Sequence, residues 1–330
     1  MPDIRSLGPG VFIAGLVALA ASWLSEHYKT PVMLFALLLG IALNYLSQDP
    51  RCKPGLDFAS RSVLRLGVAL LGARITLAQV QSLGAAALLL TAGAVVLTIL
   101  CGMLLARSTR LSTAYGVLTG GAVAICGASA ALAIASVLPR HPDHERDTVM
   151  TVVAVTTLST IAMIVYPVIA AGFGLHDHAT GIFLGATIHD VAQVVGAGYS
   201  VSTAAGDTAT IVKLFRVAML LPVVLAVSFA VQRSGTALPQ GESRPPLLPA
   251  FLAGFAALVL VNSAGWLPAA AAQALQQGSR WCLIAAIAAL GTKTSLGDLA
   301  RVGWKPIAII VGETVFVALF VLAGLSLLRL

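Results

Sequence analysis

LGARITLAQVQSLG at residues 71–84 returns as LGTKTSLGDLARVG at residues 290–303. Leu71, Gly72, Leu77 and Gly84 recur as Leu290, Gly291, Leu296 and Gly303, and Arg74 and Thr76 recur in kind as Lys293 and Ser295. In each copy an apolar run ends at Leu-Gly, a basic residue and a hydroxyl follow, and a new apolar run begins. Inside a membrane protein, a repeat of this kind marks a transporter assembled from two related halves.

Composition puts the chain in a membrane. Of 330 residues, 58% are hydrophobic and 10% charged, against about 25% charged in an average soluble domain. The apolar residues come in runs of about 20, the length at which a helix rising about 1.5 Å per residue crosses a bilayer. The alternation that a membrane β-barrel requires is absent. The expected fold is all-α: a polytopic membrane protein of ten or eleven transmembrane helices with internal, inverted repeats and discontinuous helices, one integral membrane domain over residues 1–330.

Spans fall near 10–25, 31–48, 56–73, 78–106, 112–138, 147–173, 179–202, 208–232, 248–264, 268–291 and 298–328. Pro31 suits the first turn of the second. The first is expected to be a retained helix rather than a cleaved signal, since only Arg5, opposed by Asp3, precedes it. If eleven spans alternate, the loops carrying Arg51 and Lys53, Arg107 and Arg110, Arg233 and Arg244, and Arg301 and Lys305 share one side, the cytoplasmic one. The loop PRHPDHER at 139–146 is then an exception, with Arg140 and Arg146 outside. On this count Arg74 and Lys293 face opposite sides, as inverted repeats require. The net charge of +7 answers to anionic membrane lipid and implies no nucleic acid. Cysteines 52, 101, 126 and 282 lack paired spacing, so neither a disulfide framework nor a metal site is expected, and no cofactor is implied.

GAVAICGASAALAIAS at 121–136 aligns with GATIHDVAQVVGAGYS at 185–200, keeping Gly121/Gly185, Ala122/Ala186, Ala128/Ala192 and Ser136/Ser200. Both segments, within 112–138 and 179–202, set glycines beside polar side chains, as a helix needs in order to break inside a membrane. Such glycines also serve close helix packing. His189, Asp190 and Gln193, in the middle of an apolar span, tilt the reading toward function, because polar groups there are costly. A break bares N–H and C=O groups at several kcal/mol each in hydrocarbon, so it survives where it lines a cavity or binds something. The N-terminus of a half-helix offers N–H groups and a positive dipole end to an anion. Ser129, close after Gly127, suits the cap of such a half-helix.

The remaining intramembrane charges are mostly basic. Arg65 lies one turn from Arg61, Lys213 and Arg216 share a face at i, i+3, and Glu313 stands near the middle of the last span. Arg61 is expected to snorkel to an interface, Lys213 with Arg216 lies too deep to do so, Arg65 is intermediate, and Glu313 needs a partner. Basic groups outnumber acidic ones, so a site built from them attracts an anion. His189 and Asp190 point about 100° apart on a regular helix and do separate jobs.

Together LGARITLAQV, AICGASAALAIASVLP, HDVAQVVGAG with the following VKLFRV, and LGTKTSLGDLARVGWKP resemble, from about Pro31 to the C-terminus, the YeiH-type family of bacterial inner-membrane proteins named for sulfate export. More remotely, the Leu-Gly-x-basic-x-hydroxyl-Leu signature and the glycine-broken spans look like the bile-acid symporter and sodium/proton antiporter superfamily. The resemblance implies a panel of helices plus a core with crossed, broken helices, working by alternating access in the bacterial inner membrane. Its motif positions fall on Gly127, Ala128 and Ser129, on His189, Asp190 and Gln193, on Lys213 and Arg216, and on Lys293, Thr294 and Ser295. In the broader superfamily the broken helices belong to inverted halves. Here a single span, 147–173, separates them, so either one of them is re-entrant or the halves are ordered differently.

The functional expectation is a secondary transporter for a small anion, sulfate or a related sulfur oxyanion or sulfonate. Half-helix N–H groups would hold it, Lys213 or Arg216 would supply countercharge, and His189 or Asp190 would carry a coupling proton, with Glu313 as a further proton carrier or charge partner. One alternative is a cation/proton antiporter centred on Asp190 and Glu313, with a proton or sodium as the coupling ion. Another is a membrane-embedded enzyme with His189 as base and Ser129 or Cys126 as nucleophile. The chain holds no HExxH, no GxSxG and no paired carboxylates, so no enzyme is expected.

Overall fold

The structure is a computed structural model and describes residues 4–28, 31–139, 142–233, 250–293 and 304–328. Among these residues every element is helical and none is a strand. In chain order they are α1 (Ile4–Tyr28), α2 (Val32–Ala42), α3 (Lys53–Phe58), α4 (Leu64–Leu71), α5 (Leu77–Ser82), α6 (Gly84–Ser108), α7 (Thr113–Ala124), α8 (Ala128–Ala135), α9 (His144–Gly172), α10 (Asp177–Thr187), α11 (Val191–Val201), α12 (Thr203–Ala218), α13 (Leu220–Arg233), α14 (Ala250–Ser263), α15 (Ala269–Lys293) and α16 (Trp304–Leu328). Proline stands just ahead of α2 at Pro31 and in the first turn of α3 at Pro54, where a missing N–H costs little, and inside α1 at Pro9 and α9 at Pro167. A π turn over Ala59–Val63 joins α3 to α4. Among the described residues, five helical stretches are long and apolar enough to cross a membrane unaided: Ser6–Tyr28, Gly84–Ser108, Arg146–Gly172, Thr203–Arg233 and Trp304–Leu328. The chain is a multi-pass, all-α membrane protein.

The chain divides into two compact units. The first takes in Met1–Leu83, Val195–Asp207 and Pro249–Ser295. In it α15 lies against α1, α2 and α4, and α14 covers α4. Apolar side chains from α1, α3 and α15, among them Ala14, Leu56 and Ala289, form a buried core. The second unit takes in Gly84–Val194, Thr208–Leu248 and Leu296–Leu330. There α6 packs along α7 and α16, α8 lies on α9, and α10 meets α16 and α9.

Two of the eleven apolar segments turn back on themselves. On α7, a side chain at Gly121 would collide with Ile134 Cδ1 of α8. In a straight helix those residues would stand roughly 20 Å apart, so α7 and α8 form a hairpin around Ile125–Gly127. The second case follows from α12. Gly185 of α10 stands against Val212, where a Cβ would lie 2.8 Å from Val212 Cβ, and Ile188, three residues on, meets Lys213. α10 and α12 therefore advance together. α11 and α12 run in opposite directions across the turn at Ser202, with Tyr199 Oη donating to Asp207 Oδ1 at 2.6 Å. Hence α10 also opposes α11, and the segment reverses at Ile188–Asp190.

Candidate functional site

Each reversal has a local cause. After α7, Gly127 adopts φ 61° and ψ −124°, a conformation that L side chains avoid. After α10, Ile188 is extended at ψ 139°, and the Asp190 N–H is taken up by Ser159 Oγ of α9 at 3.0 Å. The two tips face each other: a Cβ on Gly127 would lie 3.7 Å from the His189 carbonyl oxygen.

Four half-helix ends converge here, and the carbonyl ends are closed by two cations from α12. Lys213 Nζ donates to the carbonyls of Ile125 at 2.6 Å, of Ile188 at 2.9 Å and of His189, which uses all three of its donors. Arg216 donates through Nη2 to Val123 at 2.8 Å, through Nε to Ala124 at 2.7 Å, and through Nη1 to Gly185 and Ile188, each at 3.0 Å. Both side chains are fully buried. The carbonyls that α7 and α10 leave unsatisfied at their C-termini thus find donors within the protein.

What remains is charge. Lys213 and Arg216 stand against one acid, Asp190. The two C-terminal ends, about half a negative charge each, are set against two N-terminal ends of about half a positive charge each. About one positive charge is left at the crossing. The first turns of α8 and α11 point N–H groups toward it, and Gly127 gives α8 no side-chain cap. Ser129 is exposed, while Ala128 and Asp190 are half-buried.

The fully buried Gln193 donates through Nε2 to Thr160 Oγ1 at 3.4 Å, and its Oε1 has no hydrogen-bond partner. His189 is also fully buried, with Nε2 3.0 Å from Thr314 Oγ1. Because that hydroxyl donates to the Ile310 carbonyl at 2.7 Å, the network assigns the ring proton to Nε2. One residue away, Glu313 is fully buried, with Oε1 2.7 Å from Thr119 Oγ1.

Gly127, Ala128, Ser129, His189, Asp190, Gln193, Lys213 and Arg216 therefore meet at one crossing, with Glu313 reaching it through Thr314. Lys293 lies in the other unit, 2.6 Å from Asp57 Oδ1 and 3.3 Å from Ser60 Oγ. Thr294 and Ser295 lie outside the described residues. Arg61 and Arg65 are both exposed. Thr119, Ser159 and Thr314 belong to the site and were not singled out in the sequence. Isolated hydroxyls in apolar helices ordinarily bond their own i−4 carbonyl, which leaves no signal to find them by.

No solved structure matches this chain. Its sequence is 54% identical to the UPF0324 membrane protein TauZ of Paracoccus denitrificans over 98% of this chain and 96% of that protein. It is also 54% identical to a UPF0324 membrane protein of Chlorobaculum tepidum over 96% of this chain and 88% of that one. A UPF0324 membrane protein of Corynebacterium glutamicum is 34% identical over 99% and 94%. The profile described as conserved hypothetical protein 698 matches residues 9–310, and the chain belongs to that family of UPF0324 membrane proteins.

Proposed function

We propose that the protein is a secondary transporter that moves a small oxyanion or sulfonate across the membrane by alternating access. The observation that carries this reading is the convergence of two helix reversals on buried Lys213 and Arg216, with a surplus of positive charge. Those cations spend their hydrogen bonds on carbonyl oxygens. The anion would therefore feel their field while taking its hydrogen bonds from backbone N–H groups in the first turns of α8 and α11, from Ser129 and from the Gln193 amide.

The test is exchange of labelled sulfate and of taurine, a sulfonate, by the purified protein in liposomes. Saturable exchange of one of them is expected, and Ser129→Asp should weaken it by more than about tenfold. A like charge about 4 Å away costs about 4 kcal/mol at an effective dielectric of 20, whereas aspartate in the first turn favours the helix itself. Lost exchange in a variant that unfolds at the wild-type temperature in detergent would report repulsion and not misfolding. Sodium or proton flux indifferent to added anions would overturn the reading in favour of a cation/proton antiporter.

A further inference from the structure

Glu313 stands near the middle of α16 with no exposed surface. Its Oε1 meets Thr119 Oγ1 at 2.7 Å, and its Oε2 has no hydrogen-bond partner. Among the described residues no cation lies in ion-pair contact with it, and Lys213 and Arg216 are engaged by carbonyl oxygens. Room for the carboxyl exists because residue 102 is glycine. A side chain there would collide with Glu313 Oε1 and come within 2.6 Å of the Gly116 carbonyl oxygen.

As a carboxylate, Glu313 finds one donor, the Thr119 hydroxyl, for two buried oxygens. Thr119 has a single hydroxyl proton and three acceptors within reach: the Tyr115 carbonyl at 3.2 Å, the Gly116 carbonyl at 3.4 Å and Glu313 Oε1. A carboxyl that carries its own proton donates to Thr119 Oγ1 and frees the Thr119 proton for its helix. A metal ion fits less well. One carboxyl, one hydroxyl and one carbonyl fall short of the about six oxygens that a hard cation gathers.

We propose that Glu313, with Thr119, is a buried proton-binding site of this protein. The titratable groups nearest it on the elements packed against α16 are Cys101 of α6, Tyr115 of α7 and His189 at the end of α10, the last through Thr314; Asp147 of α9 acts on Tyr115. The neighbour of Glu313, Thr314, holds the His189 ring at the helix crossing, so gain or loss of this proton acts on the reversal at Ile188–Asp190. That coupling rests on the anion-transport reading, whereas the proton site does not.

The test uses the purified full chain and N,N′-dicyclohexylcarbodiimide, which modifies protonated carboxyls in apolar surroundings, with the modified residue located by peptide mass spectrometry. Glu313 should be modified, the modification should be lost as pH rises, and sodium at constant pH should leave it unchanged. Glu313→Gln, a neutral isostere that keeps the Thr119 contact, should abolish it, and Thr119→Val should shift the pH at which it falls away. Absence of modification at Glu313 at every pH, or protection by sodium, overturns the proposal. Modification that persists in protein reconstituted without any anion exchange supports the site and removes only the coupling.

Discussion

Lys213 is a cation whose partners have no letters of their own. Its depth in an apolar run made it legible as a buried charge, and so was Arg216, three residues on. That both would close the ends of half-helices was not, because main-chain carbonyls are present at every position of any sequence. Lys213→Met keeps the stem and removes the donors. Ile188 retains Arg216 as a partner, but the carbonyls of Ile125 and His189 lose theirs. At about 1–3 kcal/mol for each buried group left bare, the variant should lose roughly 2 kcal/mol or more of stability. The measurement is thermal unfolding in detergent. A variant that melts with the wild type would show that the carbonyls find other donors and that Lys213 is not what fastens the crossing.

At the scale of elements, the repeated segment at 71–84 has a mechanical meaning. Its basic residue, Arg74, pairs with Asp207 at 3.1 Å and stacks over the Tyr199 ring at 5.8 Å. Its hydroxyl, Thr76, closes a capping box with Gln79 that starts α5. In the second copy Lys293 takes Asp57 in the same way. The acids escaped the sequence reading because both fall at the margins of spans, where a charge raises no question. The helix interruptions were legible from glycine beside polar residues. The single span between them left re-entrance of one as an open alternative; that both reverse was not legible, since 112–138 is as long as a full crossing and only contacts such as Gly121 with Ile134 distinguish a hairpin from a kinked rod. Asp207 ties the α11–α12 turn to Arg74, and the Arg74 side chain is 35% exposed, so the pair is worth little in bulk stability. Asp207→Asn should cost less than about 1 kcal/mol, and the exchange Arg74→Asp with Asp207→Arg should restore what is lost. A double-mutant cycle on unfolding free energies reads this directly, and a coupling of zero would mean that the two charges merely sit together.

For the whole molecule, the two reversals change which side of the membrane each loop meets. Counted as crossings, segments 112–138 and 179–202 leave the loop at 139–146 on the outer side against its arginines. Counted as hairpins, one entered from each face, they bring Arg107, Arg110, Arg146, Arg233 and Lys305 of the second unit to a single side, and the exception disappears. Arg74 and Lys293 still face opposite sides, as the ends of α4 and α15 require: Gln276 reaches the carbonyl of Ala73 while Lys293, at the other end of α15, reaches Asp57. The rule that lysine and arginine accumulate in short cytoplasmic loops then predicts that the side holding Arg146 is cytoplasmic and that Gly174 and Ser202 lie outside. Single cysteines introduced at Arg110, Pro142 and Ser202, in protein whose own four cysteines have been replaced, test this in intact cells with a thiol reagent that cannot cross the membrane. Ser202→Cys should react, and Pro142→Cys should react only after the cells are opened. If Pro142→Cys reacts in intact cells while Arg110→Cys is shielded, α7 and α8 cross the bilayer together, and the meeting of the two tips from opposite faces is lost with the hairpin.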